Sequence, residues 1–329
     1  MEQWLVRTKA DGEQIEASLE HATVDIEPGV SLHYVVAGGG PRTVVLLHGF
    51  PQTWWAWHRT IPQLVDAGFR VVAPDYRGAG RSSKPLSGYD KRTMASDIHR
   101  LLHEHLQLAE PVALVGHDVG LMVAYAYAQS YRDDVTHLVA VDAPLPGTAI
   151  FDQLRANPRN WQFSFHNVRD LPEFLVSGKE REYLQWFFNF RMSNPAAITD
   201  ADFQAYLTAY TMPGAMRAAF ELYRAFDQDT KDNRDFIAAN GMLTIPVLIA
   251  VGETSPTAPL VRGMIEEVAS ATTVLAVAGA GHWIAEENPH AFAAGLIEFL
   301  GRTNNYERTT SQSHEDTLEE SQLSAALAI

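Results

Sequence analysis

The 329-residue sequence contains no cysteine. Disulfides, thiolate metal sites and a cysteine nucleophile are therefore excluded. Basic residues are scarce: 25 Lys and Arg stand against 40 Asp and Glu, a formal net charge of −15. An acidic surface favours solubility and repels nucleic acid and anionic membranes, so neither is expected as a partner. Long hydrophobic runs are also missing. No stretch approaches the roughly 18 apolar residues of a membrane helix. The N-terminal "MEQWLVRTKADGEQIEASLE" carries charges where a secretory signal has its apolar segment. A soluble cytoplasmic protein is expected. Metal and nucleotide motifs are absent, so no cofactor and no metal is expected.

What is present is ample core material, with 46% hydrophobic residues. "RTVVLLHGFP", "FRVVAPDYRGAGRS", "PVALVGHDVG" and "VTHLVAVDAPLPG" each open on a continuous apolar run and end in a loop. Such runs are strands buried on both faces, as in a parallel sheet. Between them "TIPQLVDAG", "TMASDIHRLLHEHLQL" and "LMVAYAYAQSY" carry helical spacing. The alternation predicts an α/β domain. From about Thr148 to Ala239 the pattern changes to aromatic-rich helices such as "EREYLQWFFNFRM" and "GAMRAAFELYRAF". Strands return with "IPVLIAVGE" and "TTVLAVAGAGHW", and "HAFAAGLIEFLGR" closes as a helix. The expected layout is a core over residues 1–147 and 240–303, an inserted helical cap over 148–239, and a polar, flexible tail over 304–329.

The stretch Gly116-His117-Asp118-Val119-Gly120 has the shape of a nucleophile elbow. Its central side chain stands above the carboxyl edge of the sheet, and flanking glycines let strand and helix approach. As a simple helix cap Asp118 needs no partners; partners in the right places argue for chemistry. The loop "LLHGFP" aims backbone N–H groups at a developing oxyanion, with the amides of Phe50 and Val119 as the expected donors. The His48 side chain is expected to order that loop rather than react. His282, in "AGAGHWIAEENP" after a late strand, is the candidate base. Two sites offer an acid to orient it. Asp142 is favoured, Glu253 is the alternative, and Ser255 occupies the place where many such sheets carry an aspartate.

Taken together, "HGFPQTWWAWH", "GHDVG", "VDAPLPG" and "GAGHW" resemble the epoxide hydrolase branch of the α/β-hydrolase fold, over about Ile26 to Arg302. The resemblance implies a mostly parallel sheet flanked by helices, with a helical cap. It also implies Asp118 as nucleophile, Asp142 as acid and His282 as base. An aspartate suits displacement at saturated carbon, giving an alkyl ester that activated water then hydrolyses. Epoxides and alkyl halides both fit. Haloalkane dehalogenases typically carry Asn and Trp where this chain has Phe50 and Val119. Fluoroacetate dehalogenases typically follow the nucleophile with arginines, where Leu121 and Met122 stand here. The expected reaction is therefore conversion of a small apolar epoxide and water to a vicinal diol. A haloalkane or haloacid dehalogenase is the alternative, and a non-catalytic ligand-binding homologue is a third reading. The resemblance also implies cap donors to the epoxide oxygen. Tyr223, in "AFELYRAF", is the first; Gln162, matched through "W-x-F-S-F", or His166 is the second. Gln162 departs from the tyrosine or histidine usual there and cannot deliver a proton. Trp54, Trp55, Phe187 and Phe188 are expected to wall the pocket. A homodimer is left open.

Overall fold

The computed structural model of the protein describes residues 2–10 and 13–301. The expected tail over 304–329 lies outside the described residues. Among the described residues nine strands form one sheet in the order β1-β2-β3-β5-β4-β6-β7-β8-β9. They are β1 (Glu2–Ala10), β2 (Glu13–Glu27), β3 (Val30–Ala37), β4 (Arg42–Leu47), β5 (Phe69–Pro74), β6 (Val112–His117), β7 (Val135–Val141), β8 (Val247–Gly252) and β9 (Thr272–Val277). β1 to β3 pair antiparallel, and β3 pairs antiparallel with β5. From β5 through β9 every pairing is parallel. The fold is thus the expected α/β-hydrolase arrangement, a mostly parallel sheet with helices on its faces.

Alternate side chains of the central strands supply two cores, because a strand's side chains point to opposite faces. Val45, Leu47, Val72, Leu114 and Ile249 pack on one face with α2 (Lys91–Arg100) and α3 (Val119–Ser130). Val44, Leu46, Val71, Val115 and Leu248 pack on the other with α1 (Ile61–Asp66) and a helix over residues 289–301 (here α13). Helices α4 (Ala149–Ala156), α5 (Trp161–Asn167), α6 (Leu171–Val176), α7 (Glu180–Arg191), α8 (Asp200–Tyr210), α9 (Ala215–Arg224) and α10 (Phe226–Asn240) all fall between β7 and β8. Two further helices, α11 (Ala258–Glu266) and α12 (Ile284–Glu287), flank β9 in sequence. No described helix is long and apolar enough to cross a membrane.

Candidate active site

β6 delivers the chain to Asp118, where it turns sharply into α3 at φ +50° and ψ −122°. A non-glycine residue at positive φ is strained and needs support from its surroundings. The Asp118 N–H donates to Val141 O (3.3 Å), and its carbonyl accepts from Leu121 N–H (3.0 Å). The approach tolerates no neighbouring side chains. A Cβ on Gly120 would stand 2.1 Å from Leu47 O, and one on Gly116 would stand 2.5 Å from Leu121 N. The G-x-D-x-G spacing is therefore a steric requirement of the turn.

The loop after β4 covers the carboxylate. Phe50 N–H donates to Asp118 Oδ1 at 3.2 Å. Val119 is the first residue of α3, so its N–H has no intrahelical acceptor. The His48 ring stacks on Tyr76, with centroids 4.2 Å apart, and its Nδ1–H donates to Gly49 O at 2.9 Å. Burial lowers its pKa, against the pull of Asp75. The ring is held against the loop through Nδ1 and the Tyr76 stack, and its Nε2 lies 3.7 Å from Asp75 Oδ1.

His282 lies between β9 and α12. Its Nδ1–H donates to Asp142 Oδ2 at 2.8 Å, and Nε2 lies 3.8 Å from Asp118 Oδ2. With the proton on Nδ1, the Nε2 lone pair is turned toward the Asp118 carboxylate. Asp142, also at positive φ (36°), accepts from Ser255 Oγ at 3.0 and 3.1 Å. Thr257 Oγ1 adds a longer bond of 3.4 Å. These donors hold the buried carboxylate in line with the imidazole. Glu253, the alternative acid, is exposed and accepts from Gly279 N–H at 3.1 Å; the structure brings Asp142 to His282 instead. Ser255, singled out only for the place it fills, turns out to clamp that acid.

Behind the imidazole runs a buried polar chain that sequence reasoning missed. His117 Nε2–H donates to His282 O at 2.9 Å, and His117 Nδ1 meets Gln52 Oε1 at 2.8 Å. Gln52 Nε2–H donates to Glu286 Oε2 at 2.7 Å, and the Tyr206 hydroxyl donates to Glu286 Oε1. Burial is the main cause that pushes the Glu286 carboxyl up to about 8. Burial, and then His282, hold His117 well below the ordinary imidazole range.

The inserted helices bring Tyr223 and His166 to the Phe50 ring, with centroids 5.8 and 5.7 Å away. Burial, and then the charge of Asp118, raise the Tyr223 pKa well above its usual value, so its hydroxyl keeps its proton. His166 is a weaker candidate than its position suggested. Burial, and then Arg224, lower its pKa to about 3, so it is neutral at physiological pH. Its Nε2 is already engaged with the hydroxyl of Tyr183. Gln162 is buried on the same helix. Of the expected pocket walls, Phe187 sits against Phe50 with centroids 5.3 Å apart. The other three pack elsewhere. Trp54 lies against Trp4 and His21, and its N–H donates to Asp75. Trp55 stacks on His58 and donates to Asp202 Oδ1. Phe188 joins Tyr206 and Trp283. Adjacent helical residues point about 100° apart, so Phe187 and Phe188 cannot both face Phe50.

Arg191, the last residue of α7, was not anticipated. Its guanidinium lies 3.9 Å from Asp118 Oδ2 and donates to His282 Nε2 at 3.4 Å. The motif "FFNFRM" gave no signal for it; only the path of α7 brings it in.

Residues 42–289 match the family described as alpha/beta hydrolase fold. The chain is 35% identical over 278 residues to the soluble epoxide hydrolase of Corynebacterium sp. (strain C12), covering 83% of this chain and 94% of that one. The crystal structure of Cfl2 from Burkholderia cenocepacia is similar at 41% identity and TM-score 0.79, covering 85% of this chain and 95% of Cfl2. The structure of the epoxide hydrolase CorEH without ligand is similar at 32% identity and TM-score 0.76, covering 87% and 99%.

Proposed function

Because the chain belongs to the α/β-hydrolase fold family, we propose that it is an epoxide hydrolase working through an ester on Asp118. The observation that carries this is a carboxylate at the elbow, with Phe50 N–H on one oxygen and the Asp142-oriented His282 beside the other. An Asp118 oxygen attacks an epoxide carbon, the carbon–oxygen bond breaks, and Tyr223 gives its proton to the departing oxygen. Gln162 can donate a second hydrogen bond to that oxygen. Water then attacks the ester carbonyl while His282 Nε2 takes its proton. The Phe50 and Val119 N–H groups hold the oxyanion until it collapses to free Asp118 and the diol. The imidazolium returns its proton to the Tyr223 phenolate through solvent, which closes the cycle. The cap over 148–239 supplies Tyr223 in this scheme, and water is the only cosubstrate. Similarity to proteins named epoxide hydrolases supports the choice of substrate.

A single turnover in oxygen-18 water tests it. The label is expected first in the Asp118 peptide by mass spectrometry, and in the diol only on later turnovers. Label entering the first diol overturns the ester route.

Arg191 favours a second reading. Its guanidinium supplies from α7 the carboxylate partner that is missing beside the nucleophile, so haloacid displacement at Asp118 is the alternative. Halide release from a 2-haloacid, abolished in Arg191→Met while turnover of a neutral epoxide persists, is the outcome expected of that reading.

A further inference from the structure

Outside this site the side chains of three residues converge on one point. His99 belongs to α2, which runs on into a single wider turn at Leu101–His105 that carries His103. Asp134 ends the short turn Arg132–Asp134 just before β7. His99 Nε2 lies 3.3 Å from Asp134 Oδ2, and His103 Nε2 lies 3.4 Å from the same oxygen. All three atoms lie within 4.8 Å of one another. A tetrahedral cation about 2.05 Å from each ligand atom sets those atoms about 3.35 Å apart. The two nitrogen–oxygen distances have this value.

The ring orientations agree. A backbone carbonyl only accepts, so His103 Nδ1 donates to Leu108 O at 2.9 Å. In the neutral ring this leaves the Nε2 lone pair facing the carboxylate, an arrangement that repels unless a proton or a cation lies between. Metal-binding histidines are commonly fixed through the far nitrogen in this way. The Tyr127 hydroxyl lies 3.1 Å from the same Nε2 and is the one competing donor described. It rotates about its C–O bond to release the lone pair. The His99 ring is held by stacking on Tyr131, with centroids 3.9 Å apart.

We propose that His99, His103 and Asp134 form a binding site for one zinc-class divalent cation, with water completing the tetrahedron. The donor set of two imidazoles and one carboxylate suits zinc and cobalt(II) and is too poor in oxygen for calcium. The ion ties α2 to the turn that starts β7. Asp134 and Asp142 lie at opposite ends of that strand, about 25 Å apart at the usual rise per residue. The cation is therefore structural with respect to the chemistry at Asp118, and the proposal stands independently of the substrate assigned there.

The test is calorimetric titration of chelator-stripped, full-length protein with zinc chloride at pH 7.5, with cobalt(II) as a visible-absorption probe. One zinc per chain is expected, with tetrahedral cobalt bands, and a melting temperature that rises with zinc. His103→Ala and Asp134→Asn should each weaken zinc binding at least tenfold and remove the thermal shift, while turnover of the wild-type substrate stays unchanged. Tyr127→Phe removes the competing donor and should bind at least as tightly as wild type, which separates ligand loss from a damaged fold. Absence of saturable binding overturns the proposal. So does binding of equal affinity in His103→Ala and Asp134→Asn, which would place the zinc on other histidines.

Discussion

At Tyr223 the proposed reaction makes its largest demand on a single group. An opening epoxide develops nearly a full negative charge on oxygen, and the proposed scheme assigns the protonated phenol of Tyr223 to meet it. Tyr223→Phe keeps the ring that packs on Phe50 and His166 and removes only the hydroxyl. The alkylation rate should fall about a hundred- to a thousandfold, the usual loss for one oxyanion donor. Stopped-flow tryptophan fluorescence under single-turnover conditions measures it, and an unchanged rate removes Tyr223 from the chemistry. That Asp118, Asp142 and His282 lie together was readable because each follows a strand, β6 and β7 buried and β9 at the sheet edge, and two of them sit in motifs with steric content. Asp142 was favoured over Glu253 from its strand-end position, but which strand-end loop turns toward the imidazole is set only by the folded structure. Arg191, Trp54, Trp55 and Phe188 were unreadable for a similar reason. Helical and loop side chains acquire a direction only when the whole element is placed.

The elbow is the element on which the site depends. Gly120 lets α3 descend onto β4, and a methyl group there meets the carbonyl oxygens of Leu47 and His48 at 2.1 and 2.6 Å. Backbone on a central strand cannot step aside as a flexible side chain can. Gly120→Ala should therefore lower the unfolding free energy by about 3 kcal/mol, the upper part of the usual overpacking range, and displace Asp118 from Phe50 N–H. Urea denaturation gives the first effect; an unchanged midpoint argues against the steric account. The central parallel strands were legible because burial on both faces leaves a continuous apolar run. β1 and β2 were not, because an antiparallel pair at the sheet edge carries charged residues along its length, as in "EQIEASLEHATVDIE". The same charges that argued against a secretory signal concealed two strands.

At the scale of the molecule, Glu286 links the inserted helices to the sheet. It takes hydrogen bonds from Tyr206 on α8 and from Gln52 in the loop after β4. Its folded pKa of about 8 stands above the ordinary 4.5 expected of the unfolded chain. Between those values the folded protein holds a proton that the unfolded chain has released. Stability contributed by this group is thus full below about pH 4.5, declines as pH rises, and is lost by about pH 8. Glu286→Gln cannot titrate. The melting temperature of the variant minus that of the wild type should therefore climb steadily from pH 5 to pH 8. A flat difference would show that the carboxyl is ionised throughout.

The join between α7 and the His282 loop constrains how anything enters. His282 N–H donates to Arg191 O at 3.1 Å, and the N–H groups of Ser193 and Asn194 both donate to Glu287 Oε2, at 2.7 and 2.9 Å. A Cβ on Gly281 would lie 2.6 Å from that same Arg191 oxygen, so the two backbones are in contact. Lifting this end of α7 would drag the His282 ring out of line with Asp142. Admission and alignment are mechanically one event there: a route that opens by raising α7 is a route that disarms the site. In the proposed scheme substrate therefore enters by side-chain displacement or at the far end of the inserted helices, and His282 stays in line with Asp142 while it arrives.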